Sequence, residues 1–200
     1  MLLSGYKTLK AKGYAQKDIK NSTFIAYAIP VKDEEEAKNV ITDVKRNHSD
    51  ANHNVSAYLI NSNNVLAMKY DDDGEPAGSS GKPVFKVLEM KELSNVAVVV
   101  NRYFGGIKLG FGGLTRAYRE TAIEAIENVE IIEVCKRIRL HIKSNYSDID
   151  VVSRLVADYG SILETSYSDV ADFVVEVDSE LKDIFIEKII NVTSNRVTIK

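Results

Sequence analysis

The chain has one cysteine, no tryptophan and only three prolines in 200 residues, and nowhere an apolar run of the ~18 residues that a membrane helix needs. A lone Cys135 excludes an internal disulfide and, with no second thiolate, a cysteine-built metal centre. A reducing compartment fits that usage, and Cys135 itself reads as a strand residue. The opening MLLSGYKTLKAKGY turns polar too soon for a secretory leader, so the expectation is a cytoplasmic protein with no membrane partner. Charge of one sign is also scarce. The formal net charge is −3, with 17 basic and 17 acidic residues through residue 130 and 9 against 12 beyond it. That balance excludes a protein held on nucleic acid by bulk electrostatics, so any such binding must be local. The three histidines, His48, His53 and His141, have no metal-ligand spacing, and neither a metal nor a cofactor is expected.

What the chain does have is glycine in one place. Eight of its eleven glycines fall within residues 71–118, in DDDGEPAGSSGKP and NRYFGGIKLGFGGLTRAY. Glycine weakens helices and strands by roughly 0.5–1 kcal/mol each relative to alanine, so a cluster marks tight turns or a surface that something approaches closely. The two stretches also separate charge. Residues 71–75 carry Asp71, Asp72, Asp73 and Glu75 with no base, whereas residues 101–119 carry Arg102, Lys108, Arg116 and Arg119 with no acid. Side by side, the two loops would neutralise each other; facing outward, the basic one could receive a phosphate. Gly105, Gly106, Gly110, Gly112 and Gly113 suit an anion cradle, with backbone N–H groups at a helix start. The spacing is not a P-loop, because no GxxxxGK[ST] is present. Arg116 has Glu120 one helical turn on as a surface partner; Arg119 has no such acid.

The periodicities outline an α+β chain of two domains, residues 1–130 and 131–200. Strands are expected at residues 6–12 and 22–30, then a helix capped by Asp33 with Glu36 and running to about residue 47. Short strands at 55–60 and 65–70 flank the polar turn 61–64. Pro83 suits the first turn of a helix bearing Val84, Val87 and Leu88, and VAVVV at 96–100 reads as a strand buried on both faces. A helix follows from Gly112 and Gly113 to about residue 128, with Leu114, Ala117, Tyr118 and Ala122 inward. Beyond residue 131 comes a strand-like run in which Val134, Ile138, Leu140 and Ile142 stand among Lys136, Arg137, Arg139, His141 and Lys143. A helix at 147–159 with Gly160 as its stop, strands at 161–167 and 171–177, a second helix and a strand at 196–199 complete a βαββαβ order, that of a ferredoxin-like domain.

Several side chains compete for chemical roles. The acid run 71–75 suits a hard cation or, more simply, a solvated turn. His53 fits a loop residue bonded to that turn or a general base. Ser79 and Ser80 lack the GxSxG setting of a serine hydrolase.

In order along the chain, FIAYAIPV at 24–31, DANH at 50–53, DDGEP at 72–76, GSSGKP at 78–83 and RYFGGIKLGFGGLTRAY at 102–118 resemble the IMPACT family, which includes the bacterial YigZ-like proteins. Beyond residue 131 the likeness is one of pattern and order. Two positions depart from the family: Ser79 and Ser80 stand where Thr-Ala is usual, and Thr23 where a basic residue often precedes the Phe-Ile. The resemblance implies a first domain of the βαβ type seen in ribosomal proteins and in a domain of the translocating elongation factor, and a ferredoxin-like second domain. It also implies a role around translation, since eukaryotic relatives are regulators that compete for the activator of a stress-responsive initiation-factor kinase. It carries over no catalytic residue.

The leading reading is therefore a non-enzymatic regulator associated with translation. It would bind RNA, a ribosome or another translation component through the glycine-rich basic loop. Arg102, Lys108, Arg116 and Arg119 are the phosphate contacts, the start of the Gly112 helix supplies N–H donors, and Tyr103 or Phe104 stacks on a base. A second reading is an adaptor for a translation-related protein partner, acting through His53, Asp72, Asp73, Gly74, Glu75 and Pro76. A third is a small hydrolase built on His53 and the acid run.

Overall fold

Apolar residues at every second position build the first sheet and decide which helix covers each of its faces. The computed structural model describes residues 5–62, 65–135 and 137–200, so Asn63, Asn64 and Lys136, which the sequence reading placed in a turn and a strand, lie outside the described residues. The chain divides into two units, Tyr6–Val134 and a second built on Cys135–Lys200.

In the first unit the order is β1 (Tyr6–Leu9), β2 (Gly13–Ile19), β3 (Ser22–Pro30), α1 (Glu34–Asn47), β4 (His53–Ser62), β5 (Val65–Asp71), α2 (Gly81–Met90), β6 (Val96–Tyr103), α3 (Gly110–Glu127) and β7 (Ile131–Val134). Five strands form one sheet in the order β2-β3-β6-β4-β5, with every pair antiparallel. Strands β3 and β4 therefore run parallel with β6 between them, a split βαβ unit closed by α1. Strands β1 and β7 pair separately.

On one face Phe24, Ala26, Ala28, Val55, Ala57, Val96, Val98 and Val100 pack against α2 and α3 in the main core. On the other, Tyr58, Ile60 and Ala97 meet α1. The α1 start is as the sequence pattern predicts: the Asp33 carboxylate accepts the Glu36 N–H at 2.8 Å.

Several boundaries differ from the sequence reading, among them the start of β4, which lies at His53 and not at residue 55. The strand expected at 6–12 is the shorter β1, Tyr6–Leu9, and a further strand, β2, follows at Gly13–Ile19, where the sequence pattern shows none because its outward residues are polar. Small Gly13 and Ala15 are its buried positions. Strand β6 extends to Tyr103, because β3 and β4 pair with it through Arg102, so Arg102 and Tyr103 are sheet residues and not loop residues. Helix α3 begins at Gly110, before the expected Gly112.

The second unit is β8 (Arg137–Ser144), α4 (Ile149–Tyr159), β9 (Gly160–Tyr167), β10 (Ala171–Asp178), α5 (Lys182–Val192) and β11 (Thr198–Ile199), with sheet order β11-β8-β10-β9. This is the antiparallel ferredoxin-like βαββαβ arrangement, with its core on Leu140, Ile142, Val152, Phe173, Val175 and Phe185. Gly160 does end α4, but not through a left-handed cap. Its backbone is extended, and a Cβ there would lie 1.9 Å from the Glu176 carbonyl oxygen on β10. On β8 the basic residues face acids across the register: Arg137 reaches Glu176 at 3.6 Å and Lys143 reaches Asp172 at 3.4 Å.

Two glycines of the first unit separate packing from any other reason for glycine. A Cβ on Gly13 would sit 1.9 Å from the Ala125 carbonyl oxygen, whereas one on Gly112, in the first turn of α3, would meet nothing within 4 Å. Gly13→Ala is expected to lose about 1–3 kcal/mol in urea unfolding, while Gly112→Ala should be unchanged or more stable by up to about 1 kcal/mol.

Candidate nucleic-acid interface

The register of the first sheet sets three side chains in a row. Phe24 on β3 lies opposite Arg102 on β6, which lies opposite His53 on β4. Opposed residues share a face, so Arg102 continues the row Val96, Val98, Val100 into the side covered by α2 and α3. A guanidinium at the end of an apolar row needs a buried carboxylate, and Glu75, from the loop after β5, provides it. Arg102 Nη1 donates to Glu75 Oε1 at 2.7 Å, with the two side chains only 6% and 4% exposed. Tyr118 on α3 donates its hydroxyl to the same oxygen at 2.8 Å. Burial, and then the neighbouring Glu75 charge, push the Tyr118 pKa far above its usual value. The Phe24 and Phe104 rings flank the guanidinium at 5.5 and 5.1 Å. Removing one partner of such a pair leaves a charge buried alone, at a cost of about 3–5 kcal/mol. Arg102 Nε is buried with no acceptor among the described residues.

The acidic loop is built to deliver Glu75. Asp73 and Gly74 both take left-handed backbone, with φ of 48° and 84°, and the turn brings the Asp73 carbonyl to His53 Nδ1 at 2.8 Å. A carbonyl only accepts, so Nδ1 carries the proton and the Nε2 of the neutral ring is an acceptor. It lies 3.9 Å from Glu75 Oε2.

Asp72 closes the start of α2. Its Oδ1 accepts from the Ser80 hydroxyl at 2.6 Å, the Gly81 N–H at 2.8 Å and the Ser80 N–H at 3.1 Å, and its Oδ2 from the Gly78 N–H at 2.7 Å. Burial pushes the Asp72 pKa up, but these donors outweigh it and hold the carboxyl below its usual range. Lys45 on α1 takes Asp73 at 2.9 Å and Asp71 at 3.4 Å. All four acids are thus engaged within the chain, and among the described residues no group of three His, Cys, Asp or Glu is placed to hold a metal.

The basic stretch is divided in a way the sequence did not indicate. Arg102 is buried in the pair with Glu75. Tyr103, one residue further, points to the α1 side, where its hydroxyl lies 2.8 Å from His48 Nδ1 and donates to Asp50 at 3.0 Å. Tyr103 is therefore not beside the loop's cations. Thr23, its neighbour on β3, shares that opposite face and donates to Asp18 at 2.6 Å. Lys108, Arg116 and Arg119 are exposed. Among the described residues none of the three has a carboxylate within ion-pair distance, so the expected Arg116–Glu120 pair is not formed; Arg119 makes a 3.5 Å contact to Met90 Sδ.

The glycines around these cations serve different ends. Gly105 lets the Asn21 backbone approach, since a Cβ would fall 1.7 Å from its oxygen, while Gly106 and Gly110 adopt φ of 88° and 72°. Gly113 packs on Leu109. No side chain caps α3.

Between the loop and the Glu75–Arg102 pair lies a cleft of about 380 Å³ lined by His53, Glu75, Pro76, Arg102, Phe104, Lys108, Leu109, Gly110, Phe111 and Leu114. Phe104, Ile107 and Phe111 are 43%, 45% and 59% exposed. No hydroxyl or thiol among the described residues is hydrogen-bonded to His53, so a nucleophile–base couple is not assembled there.

The fold and site define a two-domain α+β protein with a basic, aromatic-rimmed cleft on its first domain. The chain belongs to the IMPACT family: residues 20–126 match the model of the Impact N-terminal domain, and residues 142–196 match a domain of unknown function (DUF1949). IMPACT family member YvyE of Bacillus subtilis is 34% identical over 200 residues, covering 100% of this chain and 92% of that protein. Protein IMPACT of Oryctolagus cuniculus is 37% identical over 95 residues, covering 46% of this chain and 29% of that protein. A crystal structure described as that of a hypothetical protein matches with a TM-score of 0.66 at 25% identity, covering 99% of this chain and 97% of that one. No described helix is long and apolar enough to cross a membrane.

The Asp72 cradle carries a pH signature. A carboxyl with a lowered folded-state pKa contributes stability that is fully present above its unfolded value, about 4, and lost as pH falls through the folded one. Wild type is expected to exceed Asp72→Asn in melting temperature at neutral pH, and the gap should close as pH is lowered below about 4, as read by circular dichroism melts across a pH series.

Proposed function

We propose that this protein is a cytoplasmic regulator associated with translation that binds RNA, free or displayed on the ribosome, through the face formed by the 104–109 loop and the start of α3. The observation that carries the reading is the set of exposed cations Lys108, Arg116 and Arg119, none with a carboxylate within ion-pair distance among the described residues, with the exposed rings of Phe104 and Phe111 lining the same cleft as Lys108. Cations without internal partners are available to phosphates, and exposed rings offer stacking surfaces to unpaired bases. Arg116 and Arg119 follow Gly112 at four and seven residues, on one stripe of α3. A helical glycine that nothing in the chain crowds suits a backbone that a ligand approaches closely. Arg102 belongs to the support of this face and not to its phosphate contacts. The association with translation draws on the family to which the chain belongs.

The rival readings have less to draw on. An adaptor using the acidic loop would need carboxylates that are already bonded to Lys45, Arg102, Tyr118 and backbone N–H groups. A hydrolase would need a nucleophile at His53.

Co-sedimentation with ribosomes and with total RNA across a salt series tests the proposal. Wild type should bind with an affinity that falls steeply as salt rises. Lys108→Ala/Arg116→Ala/Arg119→Ala should bind weakly, with a slope shallower by about 0.7–0.9 for each phosphate it no longer neutralises, while keeping the wild-type melting temperature. Equal binding by the two proteins would remove this face from RNA recognition.

A further inference from the structure

Phosphate contacts position an RNA but do not read it, and the cleft floor is not used by them. Resting on the RNA reading above, we propose that the cleft takes one unstacked base of the bound RNA, and that this base is guanine. The floor presents two acceptors: His53 Nε2, an acceptor in the ring tautomer whose Nδ1–H donates to the Asp73 carbonyl, and Glu75 Oε2, the oxygen that Arg102 and Tyr118 leave over. They stand 3.9 Å apart. The pairing edge of guanine carries two adjacent donors, N1–H and N2–H. Adenine and cytosine set a donor beside an acceptor, and uracil sets one donor between two acceptors, so only guanine meets both floor atoms without opposing a lone pair to one of them.

A second feature agrees. The Arg102 guanidinium lines the cleft and holds a buried Nε–H with no acceptor among the described residues. Guanine O6, next to N1–H, is an acceptor of the kind that this donor lacks. Phe104 and Phe111 at the mouth supply stacking faces, and Lys108 beside them is placed for the adjoining phosphate. The cleft volume of about 380 Å³ is within the range of small-ligand pockets.

Fluorescence anisotropy with labelled oligouridine RNAs, each unmodified or carrying a single central guanine, adenine or cytosine, tests this. Wild type should bind the guanine-bearing RNA about tenfold more tightly than the others. His53→Ala should abolish that preference while keeping affinity for plain oligouridine to within a few fold, and Lys108→Ala and Phe111→Ala should weaken all the RNAs alike. His53→Ala leaves the Glu75–Arg102 pair in place, so the test does not depend on a Glu75 variant that fails to fold. Equal affinity for all sequences, or a guanine preference that survives His53→Ala, overturns the guanine pocket and leaves the RNA reading standing. No binding to any of these RNAs or to ribosomes overturns both.

Discussion

The buried pair of Glu75 and Arg102 ties the first domain together at the place where its candidate site lies. Arg102 is the last inward position of the central strand β6, Glu75 belongs to the loop after the edge strand β5, and Tyr118 adds a bond from α3 to the same carboxylate oxygen. Three separate elements are thus fixed to one another through Glu75, a residue only 8% exposed. A buried ion pair gains little over an apolar replacement, but it tolerates few alternative arrangements, because a displaced partner leaves a bare charge in the core. That requirement gives the 71–81 loop its form: Asp73 and Gly74 turn the chain, Asp72 gathers the N–H groups at the start of α2, and Glu75 is carried inward.

The same arrangement sorts the charges of the two glycine-rich stretches. The acids are consumed internally, by Arg102, by Lys45 and by backbone donors. Only one of the four bases, Arg102, is spent in return. Lys108, Arg116 and Arg119 are exposed and, among the described residues, have no carboxylate within ion-pair distance, which is how a protein of net charge −3 comes to hold local unpaired cations. In the second domain the basic residues of β8 stand opposite acids of β10, and Arg137 and Lys143 are paired with Glu176 and Asp172.

Much of this was legible in the sequence, and what was not has identifiable causes. Periodicity gave the helices, the buried strand at 96–100 and the βαββαβ order of the second domain, and the Asp33 cap with Glu36 appears where the pattern placed it. Strand β2 escaped because Gly13 and Ala15 pack through their smallness and not through hydrophobic bulk. Two of the candidate residues, Arg102 and Tyr103, stand in a strand and not in the loop that the sequence pattern suggested. Reading Arg102 as a loop cation overlooked the alternation that runs from Val96 through Val98 and Val100 into Arg102; followed two residues further, it puts a charge in the core and demands a buried acid. The same period of two turns Tyr103 away to the α1 face. The role of Glu75 was not readable from its own neighbourhood, since three other acids in the same loop have the same local sequence character and different partners.

If RNA meets the first domain on the face around the cleft, it must touch the residues that line and rim that cleft. Ultraviolet cross-linking of the bound RNA, followed by mass-spectrometric mapping of the modified residues, reads this contact directly. Cross-links are expected on Phe104, Lys108 and Phe111. Cross-links confined to the α1 face around Tyr27 and Tyr103, or to residues 137–200, would contradict RNA binding at the cleft.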